Sequence, residues 1–232
     1  MNDSLQDTLQ TLIQSGTTSN AALNRLINDY ADYHMMLTFV GGLFLVSLLL
    51  LSFFLWRRST KVHSIFEKKT YLYFGGISVI VSLFMALIVA ANLSSALDAR
   101  QAFAGSLEML STPQTGTPKD QRYQSFQAWV QSGSVQMPSL VQSKINNRLS
   151  WQLPKAIICS ILLVLLVAIC TRVWQTLIRK SRSRQTKWSF RQAALLLSGV
   201  VATVIVCFLP MLMVIGNTQA SFAPIVLTLF FG

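Results

Sequence analysis

Charge is the property that this sequence has least of. Only 12% of its 232 residues are charged, against about 25% in an average soluble domain, while 52% are hydrophobic. No Asp, Glu, Lys or Arg occurs in residues 35–56, 70–97, 156–171 or 192–215. The composition excludes a disordered chain and a collagen-like chain. It also argues against a soluble helical bundle, whose helices would each need a polar stripe.

Cysteine and histidine are scarce, and no catalytic motif is present. The three cysteines, Cys159, Cys170 and Cys207, all fall within apolar segments, so the sequence holds no disulfide framework. The two histidines, His34 and His63, flank opposite ends of the first apolar segment and cannot bind one haem together. No HExxH, GxSxG, Walker A or GxGxxG pattern occurs. We therefore predict no enzymatic activity, no metal site and no cofactor.

Four apolar segments are long enough to cross a bilayer, which takes roughly 20 residues in a helix. They cover residues 35–56, 70–97, 154–174 and 192–215. The sequence therefore predicts an all-α integral membrane protein. Its four transmembrane helices would form two hairpins, with a small helical extracytoplasmic cap.

Positive charge is concentrated in two short loops. Residues 57–71 hold five basic residues against one acid, and residues 172–191 hold seven with no acid. Cytoplasmic loops of membrane proteins carry an excess of Lys and Arg. Both loops are therefore predicted to be cytoplasmic and both termini extracytoplasmic, in the plasma membrane. The same asymmetry accounts for the net charge of +11 without a nucleic-acid partner.

This topology divides the chain into five predicted parts. They are an extracytoplasmic helical segment (1–34), a hairpin (35–93), an extracytoplasmic helical loop (94–153), a second hairpin (154–215) and an apolar extracytoplasmic or interfacial tail (216–232).

Helix signals also occur in the parts predicted to lie outside the membrane. Ser4 and Asp7 have the spacing of a capping box, and Asn20 can cap a helix that runs into the first span. The apolar stretch 222–231 is too short to span a bilayer and suits an interfacial or re-entrant segment. Residues 119–131 predict a helix with one apolar face, formed by Tyr123, Phe126, Trp129 and Val130.

Small residues recur at every fourth position in two of the spans. This spacing lets helix backbones approach closely. It predicts a helix-packing face, either inside the bundle or against another membrane subunit. Pro210 is predicted to kink the fourth span. The predicted packing residues are Ser78, Ser82, Ala86, Ala90 and Ser94 in the second span, and Ala194, Ser198 and Ala202 in the fourth.

The second basic loop is predicted to contact anionic lipid headgroups or an acidic cytoplasmic partner. Attraction to anionic lipid contributes about 1 kcal/mol per basic residue near the surface. The residues concerned are Arg179, Lys180, Arg182, Arg184 and Lys187.

The function hypothesis follows from what the spans lack. Proton relays and ion sites in membranes depend on ionisable residues. We therefore favour a non-enzymatic assembly, accessory or regulatory subunit that acts through helix–helix and loop contacts. Its partners would be the lipid bilayer and either another membrane protein or a second copy of the chain. The alternative is a small-solute transporter or oligomeric channel component, with a path lined by Ser78, Ser82 and Asn92.

Overall fold

The chain is mostly helical in the part that the structure describes. The computed structural model describes residues 4–110, 113, 115–182 and 189–231, and no strand occurs in these ranges. The helices are α1 (Leu5–Gln14), α2 (Ala21–Ser59), α3 (Ile65–Leu97), α4 (Ala99–Ser106), a 3₁₀ turn (Leu107–Met109), α5 (Pro118–Ser132), α6 (Ser139–Arg182), α7 (Phe190–Phe222) and α8 (Pro224–Phe231).

Four of these helices, α2, α3, α6 and α7, are long and apolar enough to cross a membrane. They have 39, 33, 44 and 33 residues. At 1.5 Å per residue they are about 50 to 66 Å long, which exceeds the bilayer core of about 30 Å. The predicted fold class, an all-α membrane protein with four spans, is therefore confirmed.

The chain folds as two compact units. Each unit is built from segments that alternate along the sequence. Unit 1 comprises Met1–Thr38, Ala90–Pro154 and Asn217–Gly232. Unit 2 comprises Phe39–Val89 and Lys155–Gly216. Unit 2 contains most of each apolar span, whereas unit 1 collects the flanking segments and the short helices.

In unit 2, a hydrogen bond and a glycine bring α2 and α3 together. The Ser52 hydroxyl donates to the carbonyl of Gly75 over 3.0 Å. A Cβ atom at Gly75 would lie 3.7 Å from Leu55 Cβ, an ordinary van der Waals distance, so α2 and α3 are close neighbours here.

Trp174 of α6 organises the second hairpin of unit 2. Its indole N–H donates to the Thr203 hydroxyl of α7 over 2.9 Å, and its ring lies over Gly199. Phe74 of α3 meets the same indole edge-to-face, with 5.0 Å between ring centroids. Trp174 therefore connects both hairpins within this unit.

Unit 1 has a core of the kind found in soluble helical domains. The capping box predicted at Ser4 and Asp7 is present at the start of α1. The predicted face of α5 is buried as expected. The largest side chains in this core that are shielded almost completely are Leu5, Leu9, Leu23, Leu26, Phe103, Leu107, Phe126, Trp129, Val130 and Val141.

The C-terminal helix α8 differs from the sequence-based interpretation of an interfacial or re-entrant tail. Five of its eight residues, Ile225, Val226, Leu227, Thr228 and Leu229, are buried. Three of them belong to the core cluster of unit 1 together with residues of α1, α2 and α5. The physical reason is that eight apolar residues are too few to span a bilayer but enough to fill a core position.

Candidate functional site

The predicted packing row of the second span winds around α3. Ser78 and Ser82 are buried within unit 2, Ala86 is half-buried, and Ala90 and Ser94 are exposed. Four residues advance an α-helix by about 400°, so each step of such a row shifts its direction by about 40°. A row of five therefore cannot face one neighbour along a straight helix. The packing role of its members stays a prediction.

In the fourth span, the predicted row is not the face that the chain itself covers. Ala194, Ser198 and Ala202 are all exposed on α7. The face covered within unit 2 instead contains Leu196 and Val200, which are 3% and 0% exposed. The predicted row is thus open to lipid or to another protein.

Gly199 is a contact residue that the sequence reasoning missed. A Cβ atom there would lie 3.4 Å from the Trp174 ring. The available sequence signal was a glycine one helical turn before Thr203. It lies in the span that follows the one with Trp174. Only the pairing of α6 with α7 shows that Trp174 is its neighbour.

Pro210 lies inside α7, which continues on both sides of it. It is buried within unit 2. Proline removes one backbone hydrogen bond from a helix and is a common cause of kinks. The predicted kink stays a prediction.

Hydroxyl groups in the spans donate hydrogen bonds to backbone carbonyls of the helices. Besides the bond from Ser52 to Gly75, they donate to carbonyls one turn earlier in the same helix, which satisfies them where no water is present. Such bonds join Ser82 to Ser78 (2.7 Å), Ser160 to Ala156 (2.7 Å), Thr171 to Val167 (2.7 Å) and Thr203 to Gly199 (2.8 Å).

The three residues of the predicted solute path do not share one unit. Ser78 and Ser82 belong to unit 2, whereas Asn92 belongs to unit 1. The Asn92 side-chain oxygen lies 2.6 Å from Nδ1 of His34. Asn92 is therefore engaged in joining α3 to α2 inside unit 1.

The predicted anionic-lipid or partner contacts are only partly covered by the described residues. Arg179 and Lys180 are exposed near the C-terminal end of α6. The side chain of Arg182 and the whole of Arg184 and Lys187 lie outside the described residues. The role of all five stays a prediction.

The single acid of the first basic loop is hidden from solvent. Glu67, in the first turn of α3, is only 1% exposed. The Tyr71 hydroxyl lies 3.0 Å from Glu67 Oε1 and also interacts with Arg58. The i, i+4 spacing of Glu67 and Tyr71 was a sequence signal for this contact.

A second polar site lies in unit 1, on one short stretch of α2. Asp29 accepts a hydrogen bond from the backbone N–H of Val226 in α8, over 2.8 Å. One turn later, the Tyr33 carbonyl accepts from the side chain of Gln219 over 3.1 Å, and His34 meets Asn92. This stretch therefore holds α8, the end of α7 and the end of α3.

Burial shifts the acid–base behaviour of this stretch, which precedes the first apolar segment. It raises the pKa of Asp29 to about 6, against the opposing effect of the backbone N–H groups of Val226 and Ile225. Burial also lowers the pKa of His34, while the bond to Asn92 acts in the opposite direction. Burial of His34 therefore favours its uncharged form.

Within the described ranges, no three His, Cys, Asp or Glu side chains come together in a way that could hold a metal ion. The four apolar helices and the contacts within each unit define a multi-pass membrane protein. Comparison with known protein families, curated proteins and solved structures gave no match for the chain.

Proposed function

We propose that the protein is a non-enzymatic assembly, accessory or regulatory subunit of the plasma membrane. The observation that carries this proposal is how little of each span the chain itself covers. Between 11% and 22% of the residues in the most apolar part of each span are buried inside the chain. A subunit that works through helix contacts needs such uncovered, close-packing helix surfaces.

The exposed row of small residues on α7 is the part of the uncovered helix surface that best suits close packing against another protein. Ala194, Ser198 and Ala202 present little side-chain volume, so another helix can approach the α7 backbone closely. Large side chains lie beside the row, including Leu195 and Leu197, which are 64% and 46% exposed. The small side chains of the row leave room for a neighbouring helix. This supports docking of a membrane protein or a second copy of the chain.

The polar groups of unit 2 support a packed bundle over a solute pathway. The hydroxyls of Ser52, Ser82 and Thr203 donate to helix carbonyls, and the Thr203 hydroxyl also accepts from Trp174. A transport path would instead need polar groups directed at a common aqueous lumen. The favoured function therefore assigns these groups to structure.

The proposed orientation places the basic loops in the cytoplasm and both termini outside. Arg179 and Lys180 then lie where anionic lipid headgroups of the inner leaflet are available. Arg57 and Arg58 end α2 on the same proposed side.

The experiment that tests the function measures assembly in native nanodiscs. We expect the wild-type chain to be recovered in a complex of fixed stoichiometry, seen by light scattering and native mass spectrometry. Ser198→Leu should break this complex, because the added volume forces the docked helix away. Ile161→Phe, at an exposed position of a different helix, α6, is the control and should leave it intact.

A monomeric wild-type protein that conducts solute in liposomes would contradict the proposal. It would favour the transporter or channel component instead. Equal dissociation by both variants would show that the small-residue row is not the contact face.

A further inference from the structure

The C-terminal helix α8 cannot cap its own N-terminus. An α-helix leaves its first backbone N–H groups without intrahelical partners, and a Ser, Thr, Asp or Asn side chain normally satisfies them. The residue before α8 is Ala223, which has no side-chain oxygen, and the helix begins with Pro224. Ala223 is 0% exposed, so bulk water does not reach this position directly.

Asp29 of α2 supplies the missing acceptor from a distant part of the chain. Its Oδ2 atom accepts from Val226 N–H over 2.8 Å, across 197 residues of sequence, and Ile225 N–H also bonds to it. Asp29 is itself only 8% exposed. A carboxylate buried in this way has no role in solubility or in a surface ion pair. Its position is explained by the helix end that it contacts.

We propose that the Asp29 contact with Val226 and Ile225, the α8 latch, is a proton-sensitive fastening that holds α8 in the core of unit 1. The latch is reinforced one turn along α2, where the Tyr33 carbonyl accepts from Gln219. α8 follows α7 after a single residue, Ala223. The latch therefore ties the end of the fourth long helix to the first.

Asp29 is the ionisable group at this contact. α8 holds no ionisable side chain, and neither do residues 219–222 at the end of α7. Two charged groups of α2 act on Asp29 from a distance: Asp32 raises its pKa and Arg25 lowers it. Burial outweighs all these effects and sets the pKa at about 6.

The sign of the pH effect follows from this shift. The pKa of Asp29 is about 6 when α8 is seated and near 3.8, the ordinary value of an aspartate, when the site opens to water. Between these values the seated state holds the proton and the open state does not. The latch is therefore strongest below about pH 4, weakens as the pH rises toward 6, and changes little above that.

His34, which follows Asp29 on the same helix, responds to acid in the opposite direction. Its pKa is lowered by burial, so acidification charges a group that the fold keeps neutral. Acid therefore opposes the burial of His34, whereas it tightens the α8 latch. The two effects are distinguishable by the segment in which they occur.

The test is hydrogen exchange of residues 224–231 in the full chain in nanodiscs, followed by mass spectrometry. Rates are compared at about pH 4 and about pH 7 after correction for intrinsic exchange. The separation of the two pKa values limits the change in protection to about a hundredfold. We expect protection of α8 to fall by at least tenfold as the pH rises across this range.

Three variants separate the latch from general stability. Asp29→Asn keeps an acceptor oxygen but cannot ionise. The hydrogen-exchange protection of α8 should therefore be the same at both pH values. Asp29→Ala removes the acceptor and should lower protection at both pH values. Asp32→Asn changes an exposed neighbour and should leave the pH dependence in place. Protection of wild-type α8 that does not change with pH, or a dependence retained by Asp29→Asn, would overturn the proposal.

Discussion

The indole N–H of Trp174 donates to the Thr203 hydroxyl over 2.9 Å, and this bond joins α6 to α7 in unit 2. The Thr203 hydroxyl in turn donates to the Gly199 carbonyl over 2.8 Å. The two bonds form a short chain that satisfies both polar groups without water. Since Gly199 also lies against the indole ring, three residues determine how closely the two helices approach.

Gly199→Leu should destabilise the second hairpin. The first added carbon would lie 3.4 Å from the Trp174 ring, and the rest of the side chain would force the helices apart. Overpacking of this kind costs typically about 1–3 kcal/mol. Gly216→Leu is the matched control, because no side chain or neighbouring helix lies within 4 Å of a Cβ atom there. Thermal unfolding in detergent measures both, and equal losses would show that Trp174 does not limit the approach.

Oxidation should join Cys170 to Cys207. The two thiols interact across the interface of α6 and α7. After treatment with a membrane-permeant oxidant, trypsin cleavage in the basic loop between them should leave two fragments that separate only on reduction. Cys207→Ser should abolish the linkage, whereas Cys159→Ser should preserve it. Fragments that separate without reductant would contradict the pairing of these helices.

Glu67→Ala should lower the stability of unit 2 by about 1.5–3 kcal/mol, the usual cost of losing a hydrogen bond to a charged group. The change removes a buried carboxylate that lies 3.0 Å from the Tyr71 hydroxyl. Glu108→Ala removes an exposed acid and should change stability by less than about 0.5 kcal/mol. The measurement is chemical unfolding in detergent. An unchanged midpoint for Glu67→Ala would show that the buried carboxylate makes no net contribution.

The proposed orientation is tested with an impermeant maleimide on intact cells that express a chain without native cysteines. Cysteines at Ser15 and Gln121 should be labelled from outside. Cysteines at Thr60 and Ser189 should be labelled only after the cells are opened. The physical basis is the cost of translocating two short loops that hold twelve basic residues. Labelling of Ser189→Cys but not Thr60→Cys in intact cells would contradict the topology.

Local patterns were sufficient to predict the long helices and several of their ends. The apolar runs predicted the four spans, and the capping box of Ser4 and Asp7 is confirmed by its two reciprocal hydrogen bonds. Asn20 caps α2 as predicted, through a bond from Leu23 N–H. These signals work because the interacting groups lie within one helical turn of each other.

Contacts between distant residues could not be predicted in the same way. Asp29 and Val226 are 197 residues apart, so no local pattern pairs them. The apolar sequence of α8 fits a membrane interface and a protein core equally well, and the core position depends on the groove formed by other helices. The row in α3 stays a prediction: its fourth-residue repeat drifts around the helix, from the buried Ser78 to the exposed Ser94.

The most direct test of the central claim uses charge in the second span. Ser82 is 2% exposed, and its hydroxyl bonds to its own helix. A mid-membrane Asp costs roughly 2.5–3.5 kcal/mol on insertion scales, and an unpaired buried carboxyl costs more. The account predicts that Ser82→Asp severely reduces the yield of monodisperse protein, while Ser82→Ala does not. Normal yield of Ser82→Asp, with altered ion conductance in liposomes, would contradict a packed assembly subunit and favour a water-lined path.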